Sequence, residues 1–157
     1  MIDQDEFRSV MGRFSSGVTV VTTIDEEGED EGMTVSAFCS LSLSPPLVLC
    51  CVDRAAAMYD TLATADGFIV NILSEGQEAL ARRFSGPDPN RFDGIGYSRG
   101  TSGIVVLDDV LGYLECRRIA THVGGDHCIY VGEVEFAAAN EGRPLLYYRG
   151  GYAQLER

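Results

Sequence analysis

Positive charge is scarce in this sequence: 12 Lys+Arg stand against 24 Asp+Glu over 157 residues, a formal net charge of −12. A nucleic-acid binder needs clustered cations to displace counterions from the phosphate backbone, and no such cluster is present, which excludes that partner class. Also absent is any run of about eighteen apolar residues, so no membrane-spanning helix is expected. The opening Met1-Ile2-Asp3-Gln4-Asp5-Glu6 is acidic and has neither the basic nor the apolar region of a signal peptide, so a cytoplasmic protein is expected. Cysteines are few and irregular. Cys39, Cys50, Cys51, Cys116 and Cys128 make an odd number without regular spacing, which speaks against a disulfide framework. Cys116, His122, His127 and Cys128 do not fall at zinc-knuckle spacings, and His127 and Cys128 on a strand would point to opposite faces, so no metal site is expected. No G-x-S-x-G elbow, P-loop or H-E-x-x-H is expected. Gly94-Ile95-Gly96-Tyr97-Ser98-Arg99-Gly100 approximates a dinucleotide fingerprint, but its last spacing is one residue too long and no strong strand leads into it.

What is present fits one globular domain spanning 1–157, with 45% hydrophobic and 23% charged residues. Phe7, Val10, Met11 and Phe14 recur at the spacing of one helical face, Asp3 and Glu6 form a capping-box pattern, and Ser15-Ser16-Gly17 supplies a stop. The β-branched run Val18 to Ile24 predicts a strand. From Asp25 to Glu31 only Gly28 is uncharged, which reads as a solvated hairpin tip. A second strand is expected over Met33–Leu41. Pro45-Pro46 then breaks the chain before the apolar strand Leu47–Val52. Helices are expected over Ala55–Ala65 and Glu75–Phe84, with a strand over Phe68–Leu73 between them. Ser85 to Gly103, rich in Gly, Pro and Asp, is the longest loop; loops of that length are usually functional or mobile. Leu111–Val123 and Cys128–Ala137 read as long strands joined through Gly124-Gly125-Asp126, and Leu145–Tyr148 as a final strand. Strands interrupted by helices, without strict alternation, predict a mainly β fold closed as a barrel with flanking helices.

Two stretches are candidate sites. Gly32 to Ser42 is dense in small residues and hydroxyls, which let a flat ligand approach the backbone and hydrogen-bond its amides and carbonyls. The same alternation also suits the wet face of a strand. Gly125-Asp126-His127 places a histidine beside a tight turn, which is ordinary turn chemistry by itself.

In order along the chain, several stretches together resemble the flavin reductase family of FMN-binding split barrels. They are Phe7–Phe14, Ser16–Thr22, Gly32-Met33-Thr34-Val35-Ser36-Ala37-Phe38, Ser40-Leu41-Ser42, Pro45-Pro46-Leu47-Val48, Phe68–Leu73, Arg83-Phe84-Ser85, Leu114-Glu115-Cys116, Gly125-Asp126-His127, Gly132-Glu133-Val134 and Pro144–Tyr148. The resemblance implies a Greek-key split barrel, a homodimer, and FMN or FAD bound near the subunit interface. Flavin contacts are implied for Thr34, Val35, Ser36 and Ala37, for Ser40, Leu41 and Ser42, and for Cys50, Cys51 and Val52. Further contacts are implied for Phe84, Ser85 and Arg91, and His127 is implied as the catalytic residue beside the reacting rings. NADH or NADPH would donate the hydride, and the reduced flavin would serve a partner monooxygenase. A flavin-binding module without nicotinamide turnover is the alternative. An oxidase of the pyridoxamine-phosphate type fits less well, because basic residues for a second phosphate are not evident. One departure stands out. Where relatives carry Ser and Thr for the flavin phosphate, this chain has Ala56 and Met58, and Arg54 is the residue expected to compensate by pairing with phosphate.

Overall fold

The computed structural model describes residues 1–156. Asp3 opens the first helix, α1 (Gln4–Met11): its carboxylate accepts from the Glu6 amide at 2.8 Å, and Glu6 accepts from the Asp3 amide at 3.4 Å. The short β1 (Ser16–Gly17) and the β-branched β2 (Thr19–Ile24) follow. The acidic stretch makes the hairpin to β3 (Asp30–Val35), with Gly28 at φ 83° and Asp25 Oδ1 accepting from the amides of Glu27 and Glu29. Next come β4 (Phe38–Ser42), β5 (Leu47–Asp53), α2 (Ala57–Thr64) and β6 (Gly67–Ile72). A 3-10 turn at Glu75–Gln77 runs into α3 (Glu78–Ser85), followed by the small hairpin of β7 (Tyr97–Arg99) and β8 (Val105–Leu107). Two long strands, β9 (Gly112–Gly124) and β10 (His127–Ala139), precede β11 (Leu145–Tyr148) and β12 (Gly151–Gln154).

The main sheet has seven strands in the order β3-β2-β6-β9-β10-β5-β4, every pair antiparallel. Its two edges, β3 and β4, are consecutive in the chain and joined only by Ser36-Ala37. A link that short requires the two edges to lie close together, so the sheet curls into a split barrel. The inward residues Val21, Val35, Cys50, Val52, Phe68 and Tyr130 fill it. A second core, with Val18, Val20, Leu73, Phe84, Leu107 and Leu145, lies between the barrel, α3 and the β1-β11-β12 sheet. Asn71, fully buried, ties three strands: it donates to Val20 O (2.9 Å) and Thr22 Oγ1 (3.1 Å) and accepts from the Leu107 amide (2.9 Å).

Three sequence expectations change. The strand expected over Met33–Leu41 is two strands on opposite sheet edges, because the chain must cross the barrel seam at Ser36-Ala37. The Ser85–Gly103 loop contains β7. The stretch Gly96-Tyr97-Ser98-Arg99-Gly100 inside it also spells G-x-S-x-G, but Ser98 sits in the middle of the exposed strand β7 and not at the strand-to-helix elbow such a nucleophile needs. Finally, α1 forms as its periodicity predicts, yet none of its residues is buried: Phe7 is 56% and Val10 66% exposed.

Candidate active site

A cleft of about 530 Å³ opens between the middle of β3, the start of α2 and the loop after α3. Its walls are Asp30 to Met33, Ala56 to Met58, Phe84 and Ser85, and Pro87 to Phe92 apart from Asn90. Gly32 is required by close approach. A Cβ there would lie 2.9 Å from Phe84 Cε1 and 3.2 Å from Phe92 Cζ, so only glycine lets these edge-to-face rings (centroids 5.1 Å apart) close the floor. Arg91 fixes the loop across the cleft: Nη1 donates to Gly32 O and Nη2 to Gly86 O, each at 2.6 Å.

The candidate residues divide by position. Phe84, Ser85 and Arg91 line the cleft. Phe84 is fully buried, and the Ser85 hydroxyl donates to Arg82 O at 3.0 Å. Thr34 lies two residues along β3 from Gly32, its hydroxyl donating to Ala81 O at 2.6 Å, which pins α3 to the strand. Val35 points into the barrel core, while Ser36 and Ala37 form the seam. Ser40, Leu41 and Ser42 lie on β4, where an irregularity in the pairing with β5 lets Ser42 face Leu47. Leu41 is 50% exposed. Cys50 and Val52 are inward and buried, so their side chains are closed to a ligand; burial pushes the Cys50 thiol up to about 12. Cys51 is half-buried on the outer face, its amide donating to Ala37 O across the seam at 2.9 Å.

His127 begins β10 directly opposite Asp53 at the end of β5, after a turn in which Gly125 takes φ 64°. Its Nδ1 is 2.8 Å from Asp126 Oδ1. The hydrogen bond from His127 and then its charge hold the Asp126 carboxyl below its ordinary range. An ionised carboxylate only accepts, so the proton stays on Nδ1 and Nε2 is the ring nitrogen left for a ligand. Arg54 is exposed on the same corner: its amide donates to Asp126 O (2.9 Å), and its guanidinium reaches Gly125 O (3.4 Å) and lies 6.0 Å from the Tyr59 ring centroid. Arg54 is thus placed by the His127 turn, and it is not among the residues that line the cleft.

Sequence reasoning placed Gly32 and Met33 in a candidate stretch but missed Glu31 and Phe92 as cleft walls. Glu31 belongs to the acidic run assigned to solvent, yet its Oε2 is buried with no hydrogen-bond partner. The Gly/Pro/Asp-rich loop was the signal for Phe92. Among the described residues, no group of three or more His, Cys, Asp or Glu is placed to hold a metal ion, and no helix is long and apolar enough to cross a membrane.

This fold and cleft define a class, and the sequence comparison names it. The family described as "Flavin reductase like domain" matches residues 11–156, and the chain belongs to that family. It is 38% identical over 156 residues to the flavin-dependent monooxygenase reductase subunit HsaB of Rhodococcus jostii, covering 99% of this chain and 80% of that protein. It is 39% identical over 158 residues to a flavin reductase (NADH) of Kitasatospora aureofaciens, covering 98% and 83%. Among solved structures, the NADH:FAD oxidoreductase of Streptomyces globisporus C-1027, in complex with NAD and FAD fragments, superposes with a TM-score of 0.93 at 37% identity, covering 98% of this chain and 93% of that one.

Proposed function

We propose that this chain is an NADH-dependent flavin reductase, a single domain that acts as a cytoplasmic homodimer and supplies reduced FMN or FAD to a monooxygenase. The observation that carries the reading is the cleft, which joins Gly32-Met33, Ala56–Met58 and Phe84-Ser85 within the matched family span. The five free thiols suit a reducing compartment.

The residues present fit a flavin unevenly. Glycine at 32 and the aromatic floor suit a flat ring system, and the seam at Ser36-Ala37 offers backbone groups to a ring edge. No side-chain hydroxyl stands at Ala56 or Met58, so a phosphate there has no such donor. The bound flavin supplies the hydride acceptor. The chain itself holds donor and acceptor in contact and keeps other geometries out, as small residues at the seam and a closed floor allow. His127 positions and polarises: Nε2 accepts a hydrogen bond while the ring is neutral, and donates one when it is protonated.

Support for the homodimer comes from the resemblance together with the apolar stripe of α1, which is too exposed to be explained within one chain. The reductase reading is tested by mixing the protein with FMN or FAD and NADH. Flavin absorbance at its visible maximum should bleach faster than in the protein-free control; equal rates would refute the activity.

A further inference from the structure

Arg54 stands outside the cleft walls, exposed on the corner that carries His127. His127 is paired with Asp53, so Arg54 lies one residue beyond that pair, and its amide is fastened to the turn by Asp126 O. The Tyr59 ring lies beside its guanidinium, and Tyr59 is itself held, its carbonyl accepting from the Tyr130 hydroxyl at 2.8 Å. Arg54 Nη1 makes one long contact, 3.4 Å to Gly125 O, while Nη2 and Nε donate to nothing among the described residues. The other arginines around the cleft are committed. Arg91 donates to the carbonyls of Asp88, Gly32 and Gly86, Arg83 to those of Asn90 and Asp93, and Arg99 makes a two-bond pair with Asp30. The carboxylates that flank Arg54 are occupied as well: Asp53 Oδ1 accepts from the Ala55 amide and Asp126 Oδ1 from His127 Nδ1, each at 2.8 Å. Among the described residues, neither forms an ion pair with Arg54.

A guanidinium with free donors, set beside the histidine of the site, is a ready partner for phosphate oxygens, which it can meet with two parallel bonds. A chain of net charge −12 repels an anionic reactant over most of its surface, so a local cation decides where such a reactant settles. The reaction has two anionic reactants. On the reading above the flavin lies in the cleft, whose walls exclude Arg54, and His127 meets the reacting rings. In the hydride donor the diphosphate is separated from the nicotinamide ring by a single ribose, as Arg54 is separated from His127 by one step past the strand pair. Resting on the reductase reading, we infer that Arg54 binds the diphosphate of the reduced nicotinamide dinucleotide and so seats the donor with its ring at His127. Arg54 therefore selects the donor, and the flavin phosphate is not its ligand.

Two hydride donors separate the diphosphate from the ring: NADH, and N-benzyl dihydronicotinamide, which has the same reacting ring and no phosphate. With the whole protein, Arg54→Ala should lower kcat/KM for NADH by about tenfold and leave that for the benzyl donor within about twofold. Arg54→Lys, which keeps the charge and loses the planar fork, should fall between the wild type and Arg54→Ala with NADH. Quenching of flavin fluorescence on titration gives a readout without turnover: FMN and FAD should each bind Arg54→Ala within about twofold of the wild type. An unchanged kcat/KM for NADH in Arg54→Ala, or equal losses with the two donors, would overturn the role of Arg54. A loss of about tenfold in FMN or FAD affinity would also overturn it and assign the guanidinium to the flavin. Each of these outcomes leaves the reductase reading intact; a wild type that passes hydride to flavin from neither donor would overturn that reading itself.

Discussion

At the scale of single residues, the clearest chemistry is the pair His127–Asp126. Both side chains are accessible, so the pair contributes little to folding; its consequence is electrical. Asp126 keeps its charge to lower pH than an ordinary aspartate because His127 donates to it and, when protonated, attracts it. A depressed carboxyl favours the folded state above the ordinary aspartate pKa, and that contribution disappears as pH falls through the folded value. The carboxyl-carbon NMR titration of Asp126 should therefore have its midpoint below the ordinary value in the wild type and return to it in His127→Ala. An unchanged midpoint in the variant would show that the hydrogen bond does not persist in solution. On the proposed positioning role of His127, the same variant should reduce flavin more slowly without abolishing the reaction.

At the scale of elements, Asn71 shows how the barrel is tied to the β7-β8 hairpin. Its amide joins β6 to β2 and accepts from β8, all away from water. Asn71→Ala would leave the buried Leu107 amide without its acceptor and take a donor from Val20 O and Thr22 Oγ1, at a cost of about 1–3 kcal/mol for the stranded amide if it finds no water. Urea unfolding should show a lower midpoint at an unchanged slope. None of this was readable locally, because an asparagine inside the run Phe68–Leu73 looks like any strand interruption. What was readable depended on nearby residues alone. The Asp3–Glu6 cap, the β-branched run at Val18, the Pro45-Pro46 break and the apolar β5 each carry their signal within a few positions. The seam at Ser36-Ala37 does not: small residues continue through it unchanged, and only barrel closure decides that β3 ends there. Of the site, Phe84, Ser85 and Arg91 were legible through the family resemblance. Glu31 was hidden, because its charge matched the acidic run before it and only the folded chain reveals that its oxygen is buried.

At the scale of the whole molecule, a chain of net charge −12 nevertheless presents an apolar stripe. Phe7, Val10, Met11 and Phe14 on and just after α1 are all at least half exposed, as are Leu41 on the edge strand β4 and Leu43 in the turn after it. An apolar helix face left in water marks an interaction surface, and closed two-fold pairing is the commonest way for identical chains to cover one. The proposed dimer therefore uses α1, and because α1 contributes no buried residue to its own chain, it can be altered without unfolding the barrel. Light scattering of the wild type should give twice the 17.0 kDa chain mass, and Phe7→Asp with Phe14→Asp should give the single-chain mass with unchanged circular dichroism. If flavin sits near the interface, the paired variant should also lose flavin affinity by about tenfold or more, in step with dissociation. A variant that stays dimeric would place the interface elsewhere. One that becomes monomeric yet keeps full flavin affinity would confine the binding site to a single barrel.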